Sequence, residues 1–123
     1  MTEQIPIAIL NWGPCVVRLK IKDEFKKLLL DEGKKCTEDY TTKLAGILDK
    51  EVGYGDQAKK KILPTLSQYI GVYDQAYQKF VNKPYEKMPE YVMSALWINY
   101  QKPNDFNPPH DHDGKLSFVI YLR

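Results

Sequence analysis

Apolar and polar positions along this chain divide into stretches with a period of two and stretches with a period near four. Ile5 to Leu10 is an apolar run that reads as a strand, with Pro6 at its start or on an edge. Asn11-Trp12-Gly13-Pro14 reads as a turn. From Cys15 to Ile21 the pattern alternates, with Val17, Leu19 and Ile21 on one face and Arg18 and Lys20 on the other, which predicts a half-buried strand. Phe25, Leu28 and Leu29 then fall at helical spacing, with Asp23 as the expected N-cap and Gly33 as the stop. Residues 34–55 carry Gly46, Gly53 and Gly55 and predict a long irregular excursion.

The strongest helical signal is Ile62, Leu66, Tyr69, Ile70, Tyr73, Tyr77 and Phe80, an amphipathic helix of several turns. Pro64 fits a first turn, so the regular helix is expected to begin near Ile62 and to stop at Asn82-Lys83-Pro84. A polar connector, Pro84 to Pro89, leads to Tyr91–Tyr100, the best strand in the sequence. Tyr91, Met93, Ala95, Trp97 and Asn99 share one of its faces and Val92, Leu96, Ile98 and Tyr100 the other; both faces are expected to be covered, as in an inner strand. After a Pro- and Asn-rich loop from Gln101 to Pro109, Leu116–Leu122 predicts a further strand. The pattern predicts one α+β domain over residues 1–123, with helices packed on an antiparallel sheet.

Charge changes little in this picture. The 18 basic and 16 acidic side chains give a formal charge of +2, too balanced to argue for nucleic acid or a membrane surface. Lys59-Lys60-Lys61 reads as a solvated helix start, and the aromatic stripe behind it reads as core, because no basic groove accompanies it. No apolar stretch reaches the roughly 20 residues that span a bilayer. The two cysteines, Cys15 and Cys36, form neither a disulfide framework nor a ligand pair, which makes a reducing, cytoplasmic setting the expectation.

The candidate chemistry lies in Pro108-Pro109-His110-Asp111-His112-Asp113-Gly114, which holds both histidines of the chain. In extended backbone, positions i and i+2 point the same way, so the two imidazoles can converge on one metal ion. Imidazole suits Fe(II), Zn(II), Cu(II) and Ni(II) alike, and two histidines do not close a site. Asp111 and Asp113 are the nearest candidates for a third ligand, although Asp111 faces the other way in an extended segment. Spacing alone would leave the pair as surface residues of a polar loop. Its place between two apolar strands, where a barrel mouth carries its chemistry, favours a ligand role.

The segment Trp97-Ile98-Asn99-Tyr100, continued by Asn107-Pro108-Pro109-His110-Asp111-His112 and by Leu116-Ser117-Phe118-Val119-Ile120-Tyr121-Leu122, resembles the Fe(II)- and 2-oxoglutarate-dependent oxygenases. It is most similar to the branch, frequent in bacterial and phage genomes, with the pattern W-x-N, N-x-x-H-x-H and L-S-x-x-x-Y-L. The resemblance covers about the last 27 positions; the helix-rich region before it agrees in outline only. It implies helical support over residues 22–83 and the start of a double-stranded β-helix (jelly-roll) core over 90–123. It makes His110 and His112 iron ligands, with His112 standing where most of the superfamily has aspartate. It gives Tyr121 the distal carboxylate of 2-oxoglutarate and places Asn99 among the cosubstrate contacts. The reaction it implies is hydroxylation of a C–H bond coupled to decarboxylation of 2-oxoglutarate, on a substrate the sequence does not identify.

Two of the family's parts are missing from these residues: the distal histidine, and the later arginine or lysine that anchors 2-oxoglutarate. Arg123 follows Leu122 too early to be that anchor. The sequence therefore reads as the N-terminal portion of an oxygenase, to be completed by a missing half or a homo-oligomer partner. Alone it is expected to bind metal weakly and to turn over negligibly. The alternatives are a cupin-like metal-binding barrel, a non-catalytic interaction module and a zinc hydrolase. A cupin would want a glutamate where Leu116 and Ser117 stand. The hydrolase would lack a third ligand and a general base.

Overall fold

The computed structural model describes residues 4–11, 13, 15–36, 38–39, 50–105 and 114–122. Strands β1 (Ile7–Asn11) and β2 (Cys15–Leu19) form an antiparallel hairpin with Ile7 opposite Leu19 and Asn11 opposite Cys15. Helix α1 (Asp23–Lys34) follows, then β3 (Glu38–Asp39), β4 (Lys50–Gly53), the long helix α2 (Asp56–Phe80) and β5 (Trp97–Tyr100). The last three strands make an antiparallel sheet in the order β3-β4-β5, with Val52 opposite Ile98. Among the described residues the strands close no barrel.

β2 has the expected alternation: Cys15, Val17 and Leu19 are half-buried, and Val16 and Arg18 are exposed. Lys20 N–H donates to the Pro6 carbonyl at 3.1 Å, which carries the hairpin ladder one step past β1. Pro6 thus sits just ahead of its strand, where its missing N–H removes no bond.

The core lies between the two helices and the three-stranded sheet. Phe25 and Leu29 of α1 meet Ile62, Leu66 and Tyr69 of α2, and Val52, Tyr54, Leu96 and Ile98 close the other side. The Phe25 and Tyr69 rings stack with centroids 5.4 Å apart. Tyr54 is buried with its hydroxyl donating to the Leu29 carbonyl at 2.6 Å. That phenol crosses α1 beside Gly33, where a Cβ would stand 3.1 Å from the Tyr54 hydroxyl oxygen and 3.3 Å from Ile98 Cδ1. A glycine late in α1 therefore permits the sheet to approach the helix, and does not mark the helix end as the sequence suggested.

Four further expectations need correction. The helix expected from Ile62 begins at Asp56, so Pro64 lies in its third turn on the exposed face. An interior proline costs about 3 kcal/mol; burial of Ala58 and Ile62 on the same stripe as Leu66 and Tyr69 sustains the helix across it. Asp23 is the first residue of α1 and not its cap. Lys22 caps the helix without a side-chain bond, and Asp23 and Glu24 favour the helix start through the dipole alone. The 34–55 excursion contains β4, held by Val52 and followed by buried Tyr54. Among the described residues only Trp97–Tyr100 of the expected Tyr91–Tyr100 strand is paired and β5 has a strand on one side alone; Leu96 and Ile98 are buried while Ala95 and Asn99 are exposed.

The C-terminus of α2 is built as the sequence implied. Asn82 takes the left-handed conformation (φ 53°). Lys83 N–H reaches the Gln78 carbonyl at 3.0 Å and Asn82 N–H the Lys79 carbonyl at 3.1 Å. This is the paired closure of a Schellman motif with asparagine in glycine's usual place. Among the described residues no helix is long and apolar enough to cross a membrane.

Candidate functional site

β5 carries the chain toward the histidine loop, and a tight turn follows it. In Lys102-Pro103-Asn104-Asp105, Asp105 N–H donates to the Lys102 carbonyl at 3.1 Å, and Asn104 has φ 75°. Proline second and a left-handed asparagine third are the requirements of a type II turn. The Asp105 carboxylate accepts from Lys102 N–H at 2.9 Å and locks it further. The chain re-enters the described structure at Gly114, with φ 99°, and runs on as Leu116–Leu122. Ile120 and Leu122 rest against the core.

His110 and His112, with Asp111 and Asp113, lie outside the described residues, as does Arg123. Among the described residues no three His, Cys, Asp or Glu side chains come together where they could hold a metal ion. The two cosubstrate candidates are described. Asn99 stands on the face of β5 turned away from Leu96 and Ile98, in register with Glu51, and is exposed. Tyr121 is 82% exposed. Both are open to solvent, so the described residues alone do not enclose 2-oxoglutarate. Leu116–Leu122, expected as a strand, makes no ladder with any described strand. Trp97 is half-buried, and Tyr100 packs against the core.

Two polar clusters escaped the sequence reading. In the first, Glu32 sits in the last turn of α1 with 6% of its surface exposed. Its Oε1 accepts from Lys61 Nζ at 3.0 Å and from Lys35 Nζ at 3.2 Å. Cys36 Sγ donates to the Glu32 carbonyl at 3.2 Å. These side chains line a groove of about 360 Å³ that reaches the start of α2 at Gly55. The signal was present in the sequence, because Glu32 extends the Phe25-Leu28-Leu29 stripe. A carboxylate on an apolar stripe requires a partner.

The Lys61 hydrogen bond, supported by Lys35 and opposed by burial, holds the Glu32 carboxyl below its usual value of 4.5. A carboxyl lowered in the folded state adds stability above its unfolded value, and that contribution is lost as pH falls through the folded one. The melting temperature should therefore drop on acidification below the usual carboxylate range, and Glu32→Gln should flatten that drop. Parallel acid limbs in the two proteins would remove Glu32 from the account.

In the second cluster Asp74, 3% exposed on α2, accepts at Oδ1 from the hydroxyls of Tyr91 at 2.7 Å and Tyr85 at 3.2 Å. Gln78 joins the same connector: its Oε1 accepts from Tyr85 N–H at 2.8 Å while its Nε2 donates to the Asp74 carbonyl at 3.1 Å. Burial first, then the bond and charge of Asp74, push the Tyr91 phenol well above its usual range, and burial followed by the Asp74 charge raises Tyr85. The cluster fastens the connector to α2 ahead of β5. No protein-family model matches this chain, and no curated protein or solved structure matches it either.

Proposed function

We propose that this chain carries a two-histidine iron site of the Fe(II)- and 2-oxoglutarate-dependent oxygenase kind, with His110 and His112 as ligands. The single observation behind the reading is the spacing of those two histidines in a loop between Trp97–Tyr100 and the Tyr121-bearing segment, in the sequence pattern of that family. The turn that fixes Lys102 against Asp105 ahead of the histidines supports it, because a metal site needs ligands whose backbone is held. Each neutral imidazole supplies one nitrogen donor and leaves coordination positions free. Bound iron and 2-oxoglutarate would supply the oxidative chemistry; the chain's part is to hold the donors, with Asn99 and Tyr121 as proposed cosubstrate contacts. A reducing, cytoplasmic setting belongs to the same proposal: it keeps iron ferrous and leaves Cys15 and Cys36, both free, as thiols.

The test is an anaerobic Fe(II) titration, repeated with Co(II) as a spectroscopic stand-in. His110→Ala and His112→Ala are each expected to weaken metal binding about tenfold or more, since even residues that only support ligands are worth that much. Unchanged affinity in both variants would end the iron reading. Metal binding that depends on both histidines but ignores added 2-oxoglutarate would favour the cupin-like module. Absence of metal binding from the unaltered chain would favour a non-catalytic interaction module.

A further inference from the structure

A charge taken out of water is ordinarily paired with an opposite charge or coordinates a metal ion. Of the two buried carboxylates among the described residues, Glu32 meets the ammonium groups of Lys61 and Lys35. Asp74 is as deeply buried, yet no ammonium or guanidinium group among the described residues lies within ion-pair distance of it. Its side-chain partners are two phenols, Tyr91 at 2.7 Å and Tyr85 at 3.2 Å, both on the same oxygen. The two hydroxyls also lie close enough to act on each other. Oxygens from three side chains thus converge on one point.

The spacing suits coordination. Oxygens bound at about 2.0–2.1 Å to an octahedral ion stand about 2.9 Å from their neighbours, and 2.7 and 3.2 Å bracket that edge. The donors are held from behind as well. The Tyr85 ring stacks on Tyr77 with centroids 6.1 Å apart, and Gln78 binds both Tyr85 N–H and the Asp74 carbonyl. Outer contacts of this kind orient ligands before an ion arrives. Tyr85 and Tyr91 are half-buried, so the cluster is not sealed from solvent. The donor chemistry then selects the metal. Carboxylate and phenolate are hard oxygen anions. A phenol ligates well only after losing its proton, and burial with the Asp74 charge holds these protons in place. Mg(II) and Ca(II) are too weakly acidic to displace them; Fe(III) is acidic enough, and tyrosine is among the side chains that hold iron in proteins.

We propose that Asp74, Tyr85 and Tyr91 form a ferric-iron site, with one carboxylate and two phenolate oxygens as its protein ligands. Each phenol gives its proton to solvent as the ion binds. Three anionic oxygens then balance the charge of Fe(III), and the buried carboxylate gains its counter-charge. The site is independent of the two-histidine reading, since it uses neither histidine.

The test is a titration of the unaltered chain with Fe(III), supplied as its citrate complex and followed by visible absorbance. Phenolate bound to Fe(III) absorbs strongly there, whereas bound imidazole or carboxylate does not. A band that saturates at one ferric ion per chain is expected. Tyr85→Phe and Tyr91→Phe keep both rings and should each weaken binding about tenfold or more; the double variant should lose the band. Asp74→Asn should weaken binding as well, and circular dichroism checks that each variant is folded. The band should survive in the double variant His110→Ala/His112→Ala. No band in the unaltered chain would overturn the proposal, as would one that outlasts both phenols or ignores Asp74→Asn. A band that needs the histidines would place the ferric ion with them and Tyr121 instead.

Discussion

Ile62→Ala should cost about 4 kcal/mol of folding stability, within the range of about 2–5 for deeply buried aliphatic truncations. Ile62 is 1% exposed and belongs to the cluster in which α1, α2 and the three-stranded sheet meet. Part of the loss is the transfer free energy of the deleted groups, about 0.8 kcal/mol per methylene. The remainder is the cavity they leave, lined on one side by helix and on another by sheet, which cannot both move inward. Domains commonly have about 5–15 kcal/mol in total, so the variant should unfold at a markedly lower urea concentration with an unchanged slope. Leu63→Ala, one position along on the 41% exposed side, should cost far less. Equal shifts for the two would mean that α2 does not present its Ile62 face to the core.

The contrast between Ile62 and Leu63 also shows what was legible in the sequence. Helical spacing picked out Phe25, Leu29, Ile62, Leu66 and Tyr69 correctly, because burial on a helix follows a period that local sequence sets. The start of α2 was not legible: Pro64 argues locally for a boundary, and only packing of Ala58 and Ile62 against non-local strands overrules it. β4 escaped because Lys50-Glu51-Val52-Gly53 offers Val52 alone as an apolar strand former. Tyr91–Leu96 has the alternation of a strand, yet sheet membership needs a partner, and apart from Tyr54 N–H bonding to Leu96 O at 2.9 Å none of the described strands supplies one.

The same limit applies to the site. The spacing of His110 and His112 is a property of sequence, and both lie outside the described residues. Asn99 was placed correctly on the face opposite Leu96 and Ile98. That this face is open could not be read from alternation, which separates two faces without saying which is covered. The Asp74 cluster had a local signal that went unused: an aspartate between Tyr73 and Tyr77 on an otherwise apolar stripe. Its partners lie 11 and 17 residues further on, and no periodicity connects them to it.

Asp74→Ala should cost about 3 kcal/mol, from two hydrogen bonds to a charged acceptor at about 1.5–3 each, reduced because the half-buried phenols regain some water. Tyr91→Phe should account for more of this than Tyr85→Phe, since its bond is 2.7 Å against 3.2 Å. Asp74→Asn keeps an acceptor and loses the charge, so it should fall between wild type and Asp74→Ala. Replacing Asp74 by leucine together with both tyrosines by phenylalanine should recover part of the loss, because it leaves neither a buried charge nor an unmet hydroxyl. The pH dependence has a definite sign. A phenol raised in the folded state adds stability that is complete below its unfolded value, about 10, and is lost as pH rises toward the folded one. Raised values for Tyr85 and Tyr91 therefore predict an alkaline fall in melting temperature, which Tyr91→Phe should reduce. Chemical denaturation of the five variants, with an alkaline melting series for Tyr91→Phe, decides the matter. Should Asp74→Ala prove no weaker than wild type, the connector is not fastened here, and the register of β5 must be set by β4 alone.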